Sequence, residues 1–306
     1  MLARRLLSFP LLWFGCLAAW ALSPLLLAVA LLVDLFRGRL LTTRFLAFLL
    51  MLLTCELACL VAAVSIGKEL RINYALQRAW AGQLWRWSCL LYGVKLEVSG
   101  DALPRGPFVS FWRHASYADT VLPVVTMAGP SRFPRYVLKR ELLWDPLLDL
   151  VGNRIPNLFV QRVGGNEAQL AELAALASTA GRNDFVVLYP EGTRFSPERQ
   201  ALARERVPPE WKEAALALSH TLPPRPTGAL ALLNAGHDVV FVAHTGLEGA
   251  ARLGSLLRGA VLGNTVRVHF RVVPAADIPE RREARIAWLY AEWARVNEFV
   301  SQHAEG

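Results

Sequence analysis

A histidine and an aspartate begin and end the segment His114–Asp119, shortly after a mostly apolar run, Phe108–Trp112. An imidazole paired with a carboxylate can take a proton from a hydroxyl group, because the carboxylate fixes the tautomer and stabilises the imidazolium ion. On one regular helix the two side chains would point about 140° apart. We therefore expect His114 to lie in a turn and Asp119 within the first turns of the following helix.

The same segment has a second interpretation. Ser116 and Asp119 have the spacing of a capping box, in which two side chains bond to backbone N–H groups at the start of a helix. In that case Asp119 only stabilises the helix and His114 has no catalytic partner. The segment by itself leaves both interpretations open.

A second candidate site follows the apolar run Phe185–Tyr189, which predicts a buried strand. The next residues, Pro190–Arg194, read Pro-Glu-Gly-Thr-Arg. Gly192 permits a tight turn and a close approach of the backbone to a ligand. Arg194 can bind a phosphate group through two parallel hydrogen bonds. The alternative is an ordinary turn at a strand end with an exposed ion pair.

Together and in this order, the two motifs resemble those of the glycerolipid acyltransferases, the superfamily that includes the lysophosphatidic-acid acyltransferases. The resemblance covers roughly residues 94–245. It implies that His114 is the general base of a direct acyl transfer and that Asp119 is its partner. It also implies that the acceptor, a glycerol phosphate, is bound by Glu191, Gly192, Thr193 and Arg194.

The resemblance implies three further contacts to the acceptor phosphate. Lys139 begins a Lys-Arg-Glu-Leu segment, although an ordinary solvated lysine remains an alternative there. Arg162 ends the segment Phe159–Arg162, which is similar to a strand of the family. Arg225 lies in Pro-Arg-Pro-Thr-Gly, which resembles an element of the lysocardiolipin-acyltransferase branch.

Two departures from the family pattern concern the acceptor. Arg113 precedes the histidine where the family often has asparagine, and Val240–His244 replaces a late Pro-Val-x-Pro-Val segment. We expect His244 to be structural. The expected acceptor is 1-acyl-glycerol-3-phosphate, which would give phosphatidic acid. The alternative acceptors are another lysophospholipid and a lyso-ornithine lipid. The alternative to an enzyme is a non-catalytic membrane protein that binds lipid.

The resemblance implies no cofactor apart from the acyl donor, which is acyl-CoA or acyl carrier protein, and no metal. The chain shows no nucleic-acid motif, so its net charge of +8 predicts anionic lipid or phosphorylated ligands as partners. Four cysteines lie in apolar or aromatic surroundings and are expected to pack as small reduced side chains. They are Cys16, Cys55, Cys59 and Cys89.

Charge is distributed unevenly along the chain. Hydrophobic residues make up 54% of the sequence and charged residues 19%, which excludes a disordered chain. Residues 1–66 hold seven of the 58 charged side chains, which leaves 51 for the other 240 residues. The sequence therefore predicts an apolar head followed by a globular body.

The head contains two apolar runs, Leu6–Val33 and Phe45–Ile66, and the second has one acid, Glu56. Each is long enough to cross the roughly 30 Å hydrocarbon core of a bilayer as a helix. We expect a two-helix membrane anchor over residues 1–67, in the inner (plasma) membrane with the catalytic domain facing the cytoplasm. Because arginines lie at both ends of the hairpin, two arrangements stay open: the helices span the bilayer or both enter one leaflet. A cleaved signal peptide is a further alternative.

The remaining chain divides into an amphipathic interfacial connector, residues 68–93, and a catalytic domain, residues 94–306. Residues 70–92 combine tryptophan and arginine, as at a headgroup layer, although a core helix capped by arginine is the alternative. Strands are expected at Val94–Val98, Phe108–Trp112, Phe185–Tyr189, Val239–Ala243 and Val266–Val273. Helices are expected after a cap at Asn166, near Gly228–Ala235 and through Ile286–Val300. This alternation predicts an α/β fold in which helices flank a mixed sheet, as in glycerol-3-phosphate acyltransferases.

Overall fold

The structure is a computed structural model that describes residues 2–161 and 167–303. Its strands are β1 (Lys95–Gly100), β2 (Phe108–Trp112), β3 (Phe133–Lys139), β4 (Leu158–Val160), β5 (Asp184–Leu188), β6 (Asp238–Thr245) and β7 (Thr265–Val273). Its α-helices are α1 (Leu2–Arg37), α2 (Leu41–Ile66), α3 (Leu70–Tyr92), α4 (Leu122–Thr126), α5 (Pro146–Leu150), α6 (Glu167–Ser178), α7 (Pro197–Glu205), α8 (Lys212–Leu216), α9 (Pro226–Leu233) and α10 (Arg282–His303).

Helices α1 and α2 form a hairpin, as expected, and each is long and apolar enough to cross a membrane. The acids of these helices have defined partners. Asp34 accepts hydrogen bonds from the backbone N–H groups of Thr42 (3.0 Å) and Thr43 (2.7 Å), so it closes the hairpin by capping α2. Glu56 is buried and accepts a hydrogen bond from the Trp80 indole of α3 at 2.8 Å. The acid in the second apolar run therefore faces protein.

Helix α2 lies lengthwise against the body of the protein. At its start, Leu41 packs beside Gly259, and near its end the carbonyl of Ala63 accepts a hydrogen bond from Arg154 at 2.6 Å. Arg4 and Arg5, near the start of helix α1, each form an ion pair with the buried Asp149. These ion pairs fix the beginning of α1 to the body. Most of the large apolar side chains of α1 are exposed, so this helix is the outer layer of the hairpin. The most exposed of them include Leu6, Leu11, Phe14, Leu25, Leu35 and Phe36.

The body contains a seven-stranded sheet in the order β1-β7-β6-β2-β5-β3-β4. Strands β6, β2, β5, β3 and β4 are mutually parallel, β7 is antiparallel to β6, and β1 is parallel to β7. The expectation of a mixed sheet flanked by helices is therefore confirmed. Each predicted strand is present with ends shifted by at most two residues.

Strand β3 was not expected from the sequence. Pro134 and Arg135 interrupt its apolar pattern, and a proline removes a backbone donor from a sheet. The strand forms because β5 and β4 pair with it on both sides. Arg135 is accommodated by an ion pair with Asp184 at 2.6 Å, at the start of β5.

Both faces of the sheet are covered, which explains why its central strands are apolar throughout. Residues of β2 lie on both faces of the sheet. Phe108 and Trp112 belong to one core cluster, and Val109 and Phe111 belong to the other. The first cluster packs against α3 and α4. The second packs against α6, α9 and α10. Helix α3 thus contributes one side to the core of the body, as the core-helix alternative requires.

Candidate active site

The candidate catalytic residues lie at the edge of the sheet where the parallel strands end. Phe111 of β2 is in register with Leu188 of β5, so the residues that follow these neighbouring strands meet. Ligands of open α/β sheets bind at this carboxyl edge. The fold therefore brings the His114–Asp119 segment, after β2, beside Pro190–Arg194, after β5.

The side chains of His114 and Asp119 are paired. Nδ1 of His114 lies 3.1 Å from Oδ1 and 3.2 Å from Oδ2 of Asp119. Asp119 Oδ2 also accepts the backbone N–H groups of Ala115 (2.6 Å) and Ser116 (2.8 Å), and the N–H of Asp119 donates to Ser116 Oγ at 3.2 Å. Asp119 lies in a short 3-10 helix, Ala118–Val121, and His114 precedes it. The capping contact and the histidine contact are thus both made by one carboxylate.

The ionisation of Asp119 determines which nitrogen of His114 can act as a base. Burial favours the neutral form of Asp119, but hydrogen bonding to His114, the charges of the two histidines nearby and the Ser116 backbone outweigh it and lower its pKa. A carboxylate only accepts hydrogen bonds, so the proton of a neutral His114 ring resides on Nδ1. The lone pair is then on Nε2, on the opposite side of the ring. The His114 side chain is 14% exposed.

Glu191 connects the two motifs from below the surface. Its Oε2 accepts the backbone N–H of His114 at 2.8 Å, and its Oε1 accepts that of Leu222 at 3.0 Å. The residue is buried, and burial raises its pKa to about 8, against the opposing charge of Arg113 and these two donors. The sequence predicts that Glu191 binds substrate, but both carboxylate oxygens point into the protein and hold backbone segments.

The turn at Gly192 shows why this position is a glycine. Gly192 has φ of 68°, and a Cβ atom there would lie 3.2 Å from the Arg225 side chain. Arg225 is also held by its backbone N–H, which donates to the carbonyl of Pro190 at 2.8 Å. The structure therefore brings the exposed Arg225 side chain over the second motif, although it is distant in sequence. Thr193 is half-buried in the same turn.

Arg194 spans the two motifs on the outer side. Its guanidinium carbon lies 3.5 Å from the centre of the Tyr117 ring, and its Nη1 donates to the carbonyl of Ala251 at 2.5 Å. Tyr117, inside the His114–Asp119 segment, is 60% exposed. The cation is thus positioned by stacking and by one hydrogen bond, next to the histidine loop.

The structure adds two residues, Tyr189 and Arg113, to those predicted for the site. The Tyr189 ring packs on the His114 ring with 4.7 Å between centroids, and its hydroxyl donates to the Asp119 carbonyl at 3.3 Å. Its place directly before Pro190 is the sequence signal that could have identified it. Arg113 is buried, donates to the carbonyl of His244 at 2.6 Å and forms an ion pair with Glu248.

His244 lies behind the His114–Asp119 pair. It is fully buried, its Nε2 lies 2.9 Å from the carbonyl oxygen of Arg113 and 3.8 Å from Asp119 Oδ2. Burial lowers the pKa of His244, which favours the neutral ring. Its enclosed position fits the structural role expected for it.

The remaining predicted phosphate ligands lie along the same edge or outside the described residues. Lys139 is the last residue of β3 and is in register with Val160 of β4. Arg162, two residues beyond Val160, lies outside the described residues. Within residues 2–161 and 167–303, no group of three or more His, Cys, Asp or Glu side chains could hold a metal ion. The four cysteines form no disulfides.

The described part of the site thus brings a histidine–aspartate pair together with neighbouring cations. A family model described as "Acyltransferase" matches residues 95–242, which include both motifs. The chain is 23% identical over 217 residues to the mouse (Mus musculus) protein 1-acyl-sn-glycerol-3-phosphate acyltransferase epsilon. That match covers 65% of this chain and 58% of the mouse protein.

Among solved structures, the chain is similar to the 1-acyl-sn-glycerophosphate (LPA) acyltransferase PlsC of Thermotoga maritima. The sequences are 13% identical, the TM-score is 0.45, and the match covers 72% of this chain and 77% of that one. The family model and the mouse relative agree on one class of protein. Residues 95–242 of the chain thus form a domain that matches the acyltransferase family.

Proposed function

We propose that the protein transfers a fatty acyl group from a thioester to the free hydroxyl of a lysophospholipid, with 1-acyl-glycerol-3-phosphate as the acceptor and phosphatidic acid as the product. The observation that carries the proposal is the His114–Asp119 pair at the carboxyl edge of the sheet, with Arg194 and Arg225 beside it. The name of the mouse relative, 1-acyl-sn-glycerol-3-phosphate acyltransferase epsilon, supports the choice of acceptor.

The reaction begins with removal of a proton by Nε2 of His114. The acceptor hydroxyl loses this proton as its oxygen forms a bond with the thioester carbonyl carbon, which gives a tetrahedral oxyanion. Asp119 stabilises the imidazolium ion that results, because its carboxylate contacts Nδ1 and is itself held by two backbone donors. The pair thus supplies general-base catalysis, an effect of typically about 100- to 10,000-fold.

Collapse of the tetrahedral intermediate completes the transfer. The carbonyl re-forms, the carbon–sulfur bond breaks, and the leaving thiolate takes the proton from the His114 imidazolium. The products are the ester and a free thiol, and the histidine returns to its starting state. The thiol belongs to coenzyme A or to acyl carrier protein, and no other cofactor takes part.

The cations around the pair position the acceptor. Arg194 is fixed over Tyr117 and can present its remaining N–H groups to a phosphate, as can the exposed Arg225. Lys139, the last residue of β3, and Arg162 are proposed as further phosphate contacts. Glu191 and Gly192 act as positioning residues, because the carboxylate holds the histidine loop and the glycine admits Arg225.

The hairpin is proposed to hold this site at the cytoplasmic surface of the inner membrane. Because α2 lies along the body from Leu41 to Ala63, the hairpin does not project away from it. Most of the exposed large apolar side chains of the hairpin lie on α1. This geometry favours insertion of the hairpin into one leaflet. A cysteine placed at Gly38 in the hairpin turn would then react with an impermeant maleimide only from the cytoplasmic side of sealed vesicles.

The function is tested by incubating the purified protein in detergent micelles with labelled acyl-CoA or acyl carrier protein and a panel of lysolipids. Product identification by mass spectrometry should show phosphatidic acid as the main product. His114→Ala should abolish product formation and leave membrane association unchanged. If the folded His114→Ala protein turned over like the wild type, the mechanism would be wrong. If a different lysolipid, such as a lyso-ornithine lipid, were the preferred acceptor, the assignment of the acceptor would be wrong.

A further inference from the structure

A cavity of about 450 Å³ lies between the turn of the membrane hairpin and the segment that precedes β7. Three arginines line it: Arg39 from the turn, Arg44 from the first turns of α2, and Arg258 from the body. The other lining residues are glycines and leucines of the same segments. Among the residues that the structure describes, none that lines the cavity is acidic, so the charged side chains of its lining are all cationic.

These three arginines differ from several others, which acidic side chains hold in place. Arg113, Arg135 and Arg271, for example, each form an ion pair with a glutamate or aspartate. Within residues 2–161 and 167–303, the guanidinium groups of Arg39, Arg44 and Arg258 have neither an ion pair nor a hydrogen bond. Three uncompensated cations on one concave surface point to an anionic ligand, and guanidinium groups suit phosphate oxygens in particular.

The surroundings of the cavity are apolar and exposed. Phe36, next to the turn, is 92% exposed, and Leu40 and Leu262, which line the cavity, are 49% and 43% exposed. The cavity therefore lies where the exposed apolar surface of α1 ends and the arginines begin. At a bilayer, side chains of this kind lie at the level of the phosphates and the adjoining acyl chains. A ligand that fits both parts has a phosphate group and hydrocarbon chains.

We propose that this cavity binds the phosphate headgroup of an anionic bilayer phospholipid, whose acyl chains lie against the leucines of the turn and of the 253–263 segment. The site is separate from the acceptor site, because its cations are Arg39, Arg44 and Arg258 rather than Arg194 and Arg225. It rests on the membrane association in the proposed function. By holding a resident lipid, it would fix the hairpin turn to the body and set the depth of the active site.

The proposal is tested by measuring which lipid stays with the purified full-length protein. The protein is equilibrated in micelles with phosphatidylglycerol and phosphatidylcholine, and the bound lipid is counted by native mass spectrometry. The wild type should retain one phosphatidylglycerol for each chain. The double variant Arg39→Gln/Arg258→Gln should retain it about 30-fold more weakly, since each basic side chain near an anionic surface contributes about fivefold in affinity.

A matched control separates a site from general charge attraction. Arg281→Gln/Arg282→Gln removes the same charge at the start of α10, on the face of the sheet away from α3, and both residues are exposed. This control should retain the lipid like the wild type. The single variant Arg258→Gln, at an exposed position, should show a loss of about fivefold and guards against misfolding of the double variant.

Three results would overturn the proposal. In the first, the double variant retains the lipid as well as the wild type does. In the second, the double variant and its control lose the lipid to the same extent. In the third, coenzyme A displaces the lipid. The last result would assign the cavity to the soluble donor. Because lipid retention is measured without turnover, it does not depend on whether the protein acylates lysophosphatidic acid. A failure here is thus distinct from a failure of the proposed reaction.

Discussion

Glu191 holds His114 by its backbone: the carboxylate oxygen Oε2 accepts the N–H of His114 at 2.8 Å. On the other side of the same residue, the carbonyl of His114 accepts the N–H of Phe195 at 2.7 Å. Both polar backbone groups of the histidine are therefore bonded to the segment that carries the second motif. The two motifs form one structural unit, in which Glu191 fixes the position of the His114 imidazole.

Replacing Glu191 with alanine should therefore damage both stability and catalysis. The change leaves two buried N–H groups, those of His114 and Leu222, without an acceptor. Each unsatisfied group costs about 1–3 kcal/mol, so the free energy of unfolding should fall by roughly 2–6 kcal/mol. Thermal unfolding in micelles measures this, and turnover of the remaining folded protein should fall at least about tenfold. Glu205→Ala, at the exposed end of α7, is the control. Unchanged stability and turnover would contradict the positioning role.

Asp119→Asn should disable the base while preserving the loop. The asparagine oxygen can still accept the N–H groups of Ala115 and Ser116, but its NH₂ group would face Nδ1 of His114. That contact favours the tautomer with the proton on Nε2, which cannot take a proton from the acceptor. Single-turnover acyl transfer should slow by roughly 100- to 10,000-fold, with little change in the unfolding temperature. A variant that retained the wild-type rate would show that Asp119 serves only as a cap.

Arg194→Ala should weaken binding of the acceptor more than it slows chemistry. A hydrogen bond to a charged group contributes about 1.5–3 kcal/mol, so KM for a phosphate-bearing lysolipid should rise at least about tenfold. KM for an acceptor without a phosphate should change little. Arg206→Ala, an exposed arginine after α7, should leave both constants unchanged. An unchanged KM for the phosphate-bearing acceptor in Arg194→Ala would remove the arginine from the phosphate site.

The raised pKa of Glu191 predicts a specific dependence of stability on pH. Burial raises this pKa from 4.5 to about 8, so the folded state binds a proton more tightly than the unfolded state. The contribution of Glu191 to stability is complete below about pH 4.5 and is lost as the pH rises through 8, at up to ~1.4 kcal/mol for each pH unit. The difference in unfolding free energy between the wild type and Glu191→Gln, followed from pH 5 to about pH 9, isolates this effect. A difference that does not vary with pH would contradict it.

Much of the architecture follows from local patterns in the chain. The hairpin, the strands of the sheet centre and the C-terminal helix were predicted because long apolar runs and apolar clusters between turn residues have few other stable states. Strand β3 was missed because Pro134 and Arg135 hide its pattern, and only pairing with β4 and β5 makes it a strand. Helix α1 extends beyond the apolar run at both ends, and near its C-terminal end Asp34 caps α2 instead of ending α1.

The chemistry of the site was also predictable in part. His114, Asp119 and Arg194 could be named as candidates from their types and spacing, because a histidine–carboxylate pair suits a general base and an arginine suits a phosphate. The sequence alone could not decide whether Asp119 caps a helix or pairs with histidine. In the folded protein it does both, since its two oxygens reach two backbone donors and one imidazole.

The sequence by itself thus determined the apolar hairpin, the mixed α/β body and the two motifs, all of which depend on neighbours along the chain. Only the tertiary structure decided that Glu191 faces inward, that Arg225 covers Gly192, and that the hairpin turn shares a cavity with Arg258. The physical reason is that these contacts join residues far apart in sequence. Their geometry is set by strand register and by the need of buried backbone groups for hydrogen-bond partners.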